Sequence, residues 1–395
     1  MRFEFASAGR IVFGPGTIAE LPGIAAAWGK RALIVTGKDF LRSAGIVANL
    51  ELAGFICERF GVPGEPTLSL VREGAELLRT RACSVAIAIG GGGAIDAGKA
   101  IAAIAANPGD VLDYLEVVGK GMPLPEPPVP FIAVPTTAGT GSEVTRNAVL
   151  GSPEHGVKAS LRSASMLPRV ALVDPELTFG LPRAITASTG LDCLTQLIEP
   201  YVSIRANPMT DSICLDGLRM AARSLVRVFE NGRDAESRTR MSYASLLGGL
   251  ALANAGLGVV HGFAAPIGGM FDAPHGAVCA AVLPHGMRAN IKALRSRSAP
   301  DNAALRERAP DNAALPRYAE IARLVTQDPA ASPEDGVEWV ANLVRQLEIP
   351  PLREYGIGSR HVPDIVAKAS RASSMKANPI VLTDEELAEV AESAL

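Results

Sequence analysis

A chain of 395 residues is long enough for two domains, each with its own core. Apolar residues make up 48%, charged residues 20% and aromatics 5%, with a net charge of -3 and no block of five like charges. This composition excludes a disordered polar chain and a nucleic-acid binder built on basic, base-stacking surfaces. The longest apolar stretch, 82–106, is broken by Ser84, the glycines at 90–93, Asp96 and Lys99, and falls short of the roughly 18 uninterrupted residues of a membrane span. The start, Met1-Arg2-Phe3-Glu4-Phe5, lacks the apolar core of a signal peptide. The five cysteines are scattered without a Cys-x-x-Cys pair and read as reduced, buried thiols. The expectation is a cytoplasmic enzyme with a small-molecule substrate and neither a nucleic-acid nor a membrane partner.

The first 180 residues alternate strand-like and helix-like segments. Strands are predicted at 10–13, 32–36, 55–60, 84–89, 131–134 and 170–173, and helices at 17–27, 40–53, 68–81 and 94–106. Ala32-Leu33-Ile34-Val35-Thr36 is a continuous apolar run, as in a strand covered on both faces. Alternation at this spacing implies βαβ units and a parallel sheet. After Leu181-Pro182 long helical patterns take over, at 187–202, 208–230, 237–255 and 332–347. The expected organisation is an α/β domain over 1–182 and an all-helical domain over 183–395. The stretch Ala299-Pro300-Asp301-Asn302-Ala303-Ala304-Leu305 recurs ten residues later, from Ala309 to Leu315. Two copies are too few for a solenoid, and the repeat reads as a lengthened surface loop.

Four motifs carry chemistry. Gly90-Gly91-Gly92-Gly93 follows a strand and opens a helix, so the backbone can approach a phosphate closely and present helix N–H groups to it. It does not fit Gly-x-Gly-x-x-Gly, because Ile95 stands at the third glycine position. Pro135-Thr136-Thr137-Ala138-Gly139-Thr140-Gly141-Ser142-Glu143 follows a buried strand at its carboxyl end, where ligands of open α/β sheets bind. Asp192 and Gln196 stand four apart, on one face of a helix. His261 and His275, fourteen apart in glycine-flanked apolar settings, make a carboxylate–imidazole metal site with Asp192 a reasonable expectation. His155, His285 and His361 have no such company and read as structural or surface residues.

Together these motifs resemble the iron-containing (group III) alcohol dehydrogenases. The resemblance runs from Phe13-Gly14-Pro15-Gly16 through the glycine loop, the 135–143 run, Asp174-Pro175, Asp192, His261 and Pro274-His275-Gly276 to Asn378-Pro379. It implies an NAD(P)-binding α/β domain, a helical metal- and substrate-binding domain in a dehydroquinate synthase-like architecture, and interconversion of an alcohol with an aldehyde or ketone by hydride transfer. It also implies that Gly91, Gly92 and Gly93 lie on the pyrophosphate and that Asp96 helps bind the cofactor. Thr136, Thr137, Ser142 and Lys158 would hold the nicotinamide end and its ribose. Asp192, His261 and His275 match three of the family's four metal ligands and would be its catalytic centre. A homodimer is the family expectation.

The departures are specific. Gln196 stands where the family has its fourth ligand, a histidine. Its neutral amide oxygen would weaken Fe²⁺ binding and lean the site toward Zn²⁺ or toward no metal. Ala265 replaces a second histidine near the reacting groups, and Gly93 a serine. Gly37, with Lys38 and Arg42 close by, stands where an acid often binds the ribose 2′-hydroxyl, which opens the site to NADP as well as NAD. Three alternatives are weighed: a metal-independent maleylacetate reductase-like enzyme, a dehydroquinate synthase-like lyase, and a nucleotide-binding protein without turnover.

Overall fold

The computed structural model describes residues 2–297 and 314–395, so most of the 299–315 repeat lies outside the described residues. Two compact units are present, Ala6–Gly180 and a second formed by Met1–Phe5 with Leu181–Leu395.

The first unit is built on a six-stranded sheet, every pairing parallel. Its strands are β1 (Ile11–Phe13), β2 (Arg31–Gly37), β3 (Ile56–Val62), β4 (Val85–Gly90), β5 (Phe131–Pro135) and β8 (Val170–Val173), in the order β1-β8-β5-β4-β2-β3. The helices are α1 (Leu21–Ala25) and α2 (Ala44–Leu52) with flanking 3-10 turns, α3 (Leu68–Thr80), α4 (Gly92–Ala106) and the single turn α5 (Val111–Tyr114). The continuous apolar strands are explained by burial on both faces. Leu33 and Val35 of β2 join Ala86 and Ala88 of β4 in a core shared with α3 and α4. Ala32 and Ile34 join Ile87 and Ile132 in a second core shared with α1 and α2. The face toward α4 carries small residues because the helix lies close. A Cβ on Gly98 would come within 2.9 Å of the Ala88 Cβ and 2.8 Å of Phe131.

After β2 the chain moves outward to β3, and after β4 it moves the other way to β5. The carboxyl ends of β2 and β4 therefore flank the point at which strand order reverses, where open sheets of this kind bind ligands. The chain also forms an antiparallel hairpin absent from the sequence reading, β6 (Asn147–Ser152) and β7 (Val157–Arg162), in which Gly151 faces Lys158.

The second unit is helical: α6 (Arg183–Val202), α7 (Pro208–Glu230), α8 (Ala235–Ala255), α9 (Val259–Met270) and α10 (His275–Arg297), followed by helices at Ala314–Thr326, Pro333–Gln346, Val362–Ala369 and Asp384–Ser393. Helix α6 is central, with nearly every side chain from Thr186 to Val202 buried. Sequence periodicity marks α6 to α8 but misses α9 and α10, which hold Pro266 and Pro284 in their interiors. The start of α9 is capped from a distance: Val259 N–H donates to Asn378 Oδ1 at 3.0 Å, and Val260 N–H to Glu199 Oε1 at 2.7 Å. Among the described residues no single helix is both long and apolar enough to cross a membrane.

Candidate active site

In the α/β unit the glycine loop forms a cradle at the strand-order reversal. Gly91 precedes the first turn of α4, and no side chain caps that turn. Its N–H groups and the positive end of a 15-residue helix are left to an anion. The loop is walled by the 135–143 run: a Cβ on Gly92 would meet Thr140 Cγ2 at 2.7 Å, and one on Gly91 would meet Thr137 Cγ2 at 3.4 Å. Thr136 N–H donates to Gly90 O at 2.9 Å, tying the two segments together. A Cβ on Gly93 would come within 3.0 Å of Gly64 O, so this position also has no room for a side chain. Gly37 ends β2 beside Gly90, its backbone nitrogen 3.7 Å from where a Gly90 Cβ would stand.

Asp96 and Ser142 are engaged differently from the threonines. Buried Lys99 donates to Ser142 Oγ and Thr145 Oγ1 at 3.0 Å each and to Asn147 O at 2.6 Å. It also lies 3.4 Å from Asp96 Oδ1. Ser142 donates to Asp96, whose other oxygen accepts from Val149 N–H at 2.9 Å. This network pins the 142–149 segment onto α4. Burial lowers the Lys99 pKa against the pull of Asp96, and burial raises Glu143 to about 7. Lys158 on β7 pairs with Glu65 at 3.3 Å, beside the 64–66 loop that abuts Gly93.

In the helical unit three helices bring the predicted ligands together. Asp192 comes from α6, His261 from α9 and His275 from α10. His261 Nε2 lies 3.3 Å and His275 Nε2 3.9 Å from Asp192 Oδ1. Cys279, one turn after His275 on the same face of α10, completes the group, its Sγ 3.7 Å from His275 Nε2. One donor atom from each of these four residues lies within 4.8 Å of all the others. Asp192 Oδ1, His261 Nε2 and Gln196 Oε1 are buried without hydrogen-bond partners. Buried polar atoms are rarely left so, and three orphans around two imidazoles and a carboxylate fit a cation.

Glu199, one further turn along α6, orients the His261 ring. Its Oε2 lies 2.6 Å from His261 Nδ1 while Oε1 accepts from Val260 N–H. An Nδ1–H held on this carboxylate would leave Nε2 to bind a cation, the carboxylate–histidine arrangement that orients metal ligands. Burial works against protonating the two histidines, but Cys279 and Asp192 outweigh it, lifting His275 to about 9 and His261 well above its usual range. Gln196 lies on the α8 side of its helix: its Oε1 would be 3.6 Å from a Cβ on Gly248. The sequence reading missed both Glu199 and Cys279. The i, i+4 spacing of His275 and Cys279 was the available signal. The remaining histidines are occupied elsewhere, as with His155 on Ser152 Oγ at 2.7 Å.

The family model for iron-containing alcohol dehydrogenase matches residues 8–175, and that for the C-terminal region of the Fe-containing alcohol dehydrogenase family matches residues 186–395. The chain belongs to this family. It is 36% identical over 377 residues to 1,3-propanediol dehydrogenase of Klebsiella pneumoniae, covering 92% of this chain and 90% of that one. It is 31% identical over 377 residues to the NAD-dependent methanol dehydrogenase of Bacillus methanolicus, covering 93% and 92%. Its fold is similar to the crystal structure of a 1,3-propanediol oxidoreductase, with a TM-score of 0.89, 32% identity and all of both chains covered.

Proposed function

We propose that this family member is an NAD(P)-dependent dehydrogenase that interconverts a small alcohol with its aldehyde or ketone. The observation that carries the reading is the trio of buried, unpartnered donor atoms on Asp192, Gln196 and His261, with His275 beside them, in a chain that also has an uncapped glycine cradle for a dinucleotide. The family relationship supports it, and nothing favours the maleylacetate reductase, dehydroquinate synthase-like or inactive alternatives.

When bound, a nicotinamide dinucleotide would supply or accept the hydride and a divalent metal would supply Lewis acidity toward the substrate oxygen. Asp192, His261 and His275 would hold that metal. Glu199 keeps the His261 lone pair directed at it, and Asp192 supplies a buried negative charge. The N–H groups at Gly92 and Gly93 would bind the pyrophosphate, with Gly91 giving the clearance for close approach. Thr136 and Thr137 offer hydroxyls along the same wall for the ribose and nicotinamide. Asp96 and Ser142 act by fixing that wall through Lys99, and Lys158 stands ready near Gly93 with Glu65 as its partner.

Gly37 leaves the end of β2 without the carboxylate that would select against a 2′-phosphate. The nearby Asp39 is used in capping, accepting from Leu41 N–H at 2.8 Å, and Lys38 is exposed. NADP(H) is therefore accepted alongside NAD(H). We also place the enzyme in the cytoplasm as a homodimer, with the α/β part of the chain (1–182) serving the nucleotide and the helical part (183–395) the metal and substrate. The reading is tested by an aldehyde and ketone panel with NADH and NADPH side by side. Substrate-dependent oxidation of either cofactor is expected, and none across the panel overturns the reading.

A further inference from the structure

We infer that Cys279 is the fourth protein donor of the metal site, as a thiolate, and that this makes the site zinc-selective. The inference rests on the metal-dependent reading above and concerns which atom completes the ligand set.

Two residues compete for that position, and each sits one helical turn from an accepted ligand: Gln196 after Asp192 on α6, and Cys279 after His275 on α10. Geometry places the cysteine within the donor group. Tetrahedral zinc with bonds of about 2.0–2.1 Å to nitrogen or oxygen and about 2.3 Å to sulfur has donor–donor edges of roughly 3.3–3.7 Å. The separations are 3.3 Å for Asp192–His261, 3.9 Å for Asp192–His275 and 3.7 Å for Cys279–His275, and all four donors fall within 4.8 Å of one another. The thiol is therefore close enough to the other three donors to share one ion with them. Gln196 Oε1, also buried without a partner, lies 3.6 Å from where a Cβ on Gly248 of α8 would stand.

Charge is compatible with this. Asp192 and a Cys279 thiolate would place two negative charges on the donors of a divalent ion, with the buried Glu199 carboxylate held behind them on His261 Nδ1. A thiolate is a soft donor and suits Zn²⁺, whereas an all-nitrogen-and-oxygen set also accommodates Fe²⁺. The replacement of a ligand histidine by glutamine is thus offset within the same cluster. The site also keeps an approach for substrate, since 35% of the His275 side chain is exposed while His261 and Asp192 are 6% and 1% exposed.

The direct test is zinc K-edge X-ray absorption on the unmodified, zinc-loaded full chain, with zinc content and dehydrogenase turnover measured on the same sample. The expected result is one sulfur at about 2.3 Å and a remaining nitrogen and oxygen shell at about 2.0–2.1 Å. A second arm uses Co²⁺, whose thiolate charge-transfer absorption in the near ultraviolet should be present in the native protein. It should vanish in Cys279→Ser and persist in Gln196→Ala. Zinc affinity of Cys279→Ser should fall by at least the roughly 10–100-fold that loss of an outer partner costs, with circular dichroism establishing that the variant is folded. Stoichiometric zinc with no sulfur shell overturns the cysteine assignment and leaves the metal-dependent reading intact. Full turnover by protein that binds no zinc overturns both.

Discussion

The two candidate binding regions are built from different materials. The glycine cradle at the end of β4 is made almost wholly of backbone: an uncapped helix start, glycines with no room for a Cβ, and threonine side chains as a wall. The cluster in the helical unit is made of side chains from α6, α9 and α10, oriented by Glu199 and by the remote cap from Asn378. A backbone site tolerates changes in side-chain identity as long as nothing is added. A side-chain site fails when any one ligand is removed, because its remaining donors are buried without partners.

The largest expected effect follows from that contrast. Asp192→Ala removes the buried charge the other donors share, and should abolish stoichiometric metal binding. It should lower kcat by about 10²–10⁴-fold, the weight of several kcal/mol of Lewis-acid stabilisation, while cofactor binding measured by NADH fluorescence stays near native. A comparable loss of cofactor binding would break the separation of the two regions. Glu199→Gln keeps the shape but weakens the hold on His261 Nδ1. Metal affinity measured by competition with a chelator should drop about 10–100-fold.

Adding one methyl group probes the other region. Gly92→Ala puts a Cβ within 2.7 Å of Thr140 Cγ2, an overpacking that costs about 1–3 kcal/mol where it cannot relax. The KM for the dinucleotide should rise about tenfold with metal content unchanged, and a normal KM would remove the cradle from the account. The smallest effect concerns the support behind the wall. Buried Glu143 has its pKa raised to about 7 from an ordinary 4.5, so the folded state holds a proton that the unfolded state has released. The stability this gives is complete below about pH 4.5 and is lost as pH rises through about 7. Thermal unfolding of Glu143→Gln should vary less across that window than the native protein does, by roughly 5 °C. Parallel curves would show that this carboxyl does not titrate there.

The same division decides what was legible in the sequence. Continuous apolar strands and a strand–glycine–helix junction are local patterns, so most of the sheet and the cradle could be read directly. The β6–β7 hairpin was not, because Asn147-Ala148-Val149-Leu150-Gly151-Ser152 alternates too weakly to announce a strand. The helical cluster depends on how α6, α9 and α10 pack, and its residues are separated by tens of positions. Residue type and spacing pointed to Asp192, His261 and His275, the resemblance matched them to family ligands, and both drew attention to Gln196 rather than Cys279. Cys279 looked like any buried thiol until α10 was seen to begin at His275, which puts both residues on one face. Glu199 was hidden for a similar reason: a carboxylate one turn from a helix end reads as a surface acid until α9 is packed over it.

The measurement that bears most directly on the metal-dependent mechanism is turnover of the native enzyme after exhaustive chelation, on protein whose metal content has been determined. The account predicts that NAD(P)H oxidation with its best carbonyl substrate falls to background and returns when one equivalent of Zn²⁺ is restored. Undiminished turnover by verified metal-free protein would contradict it.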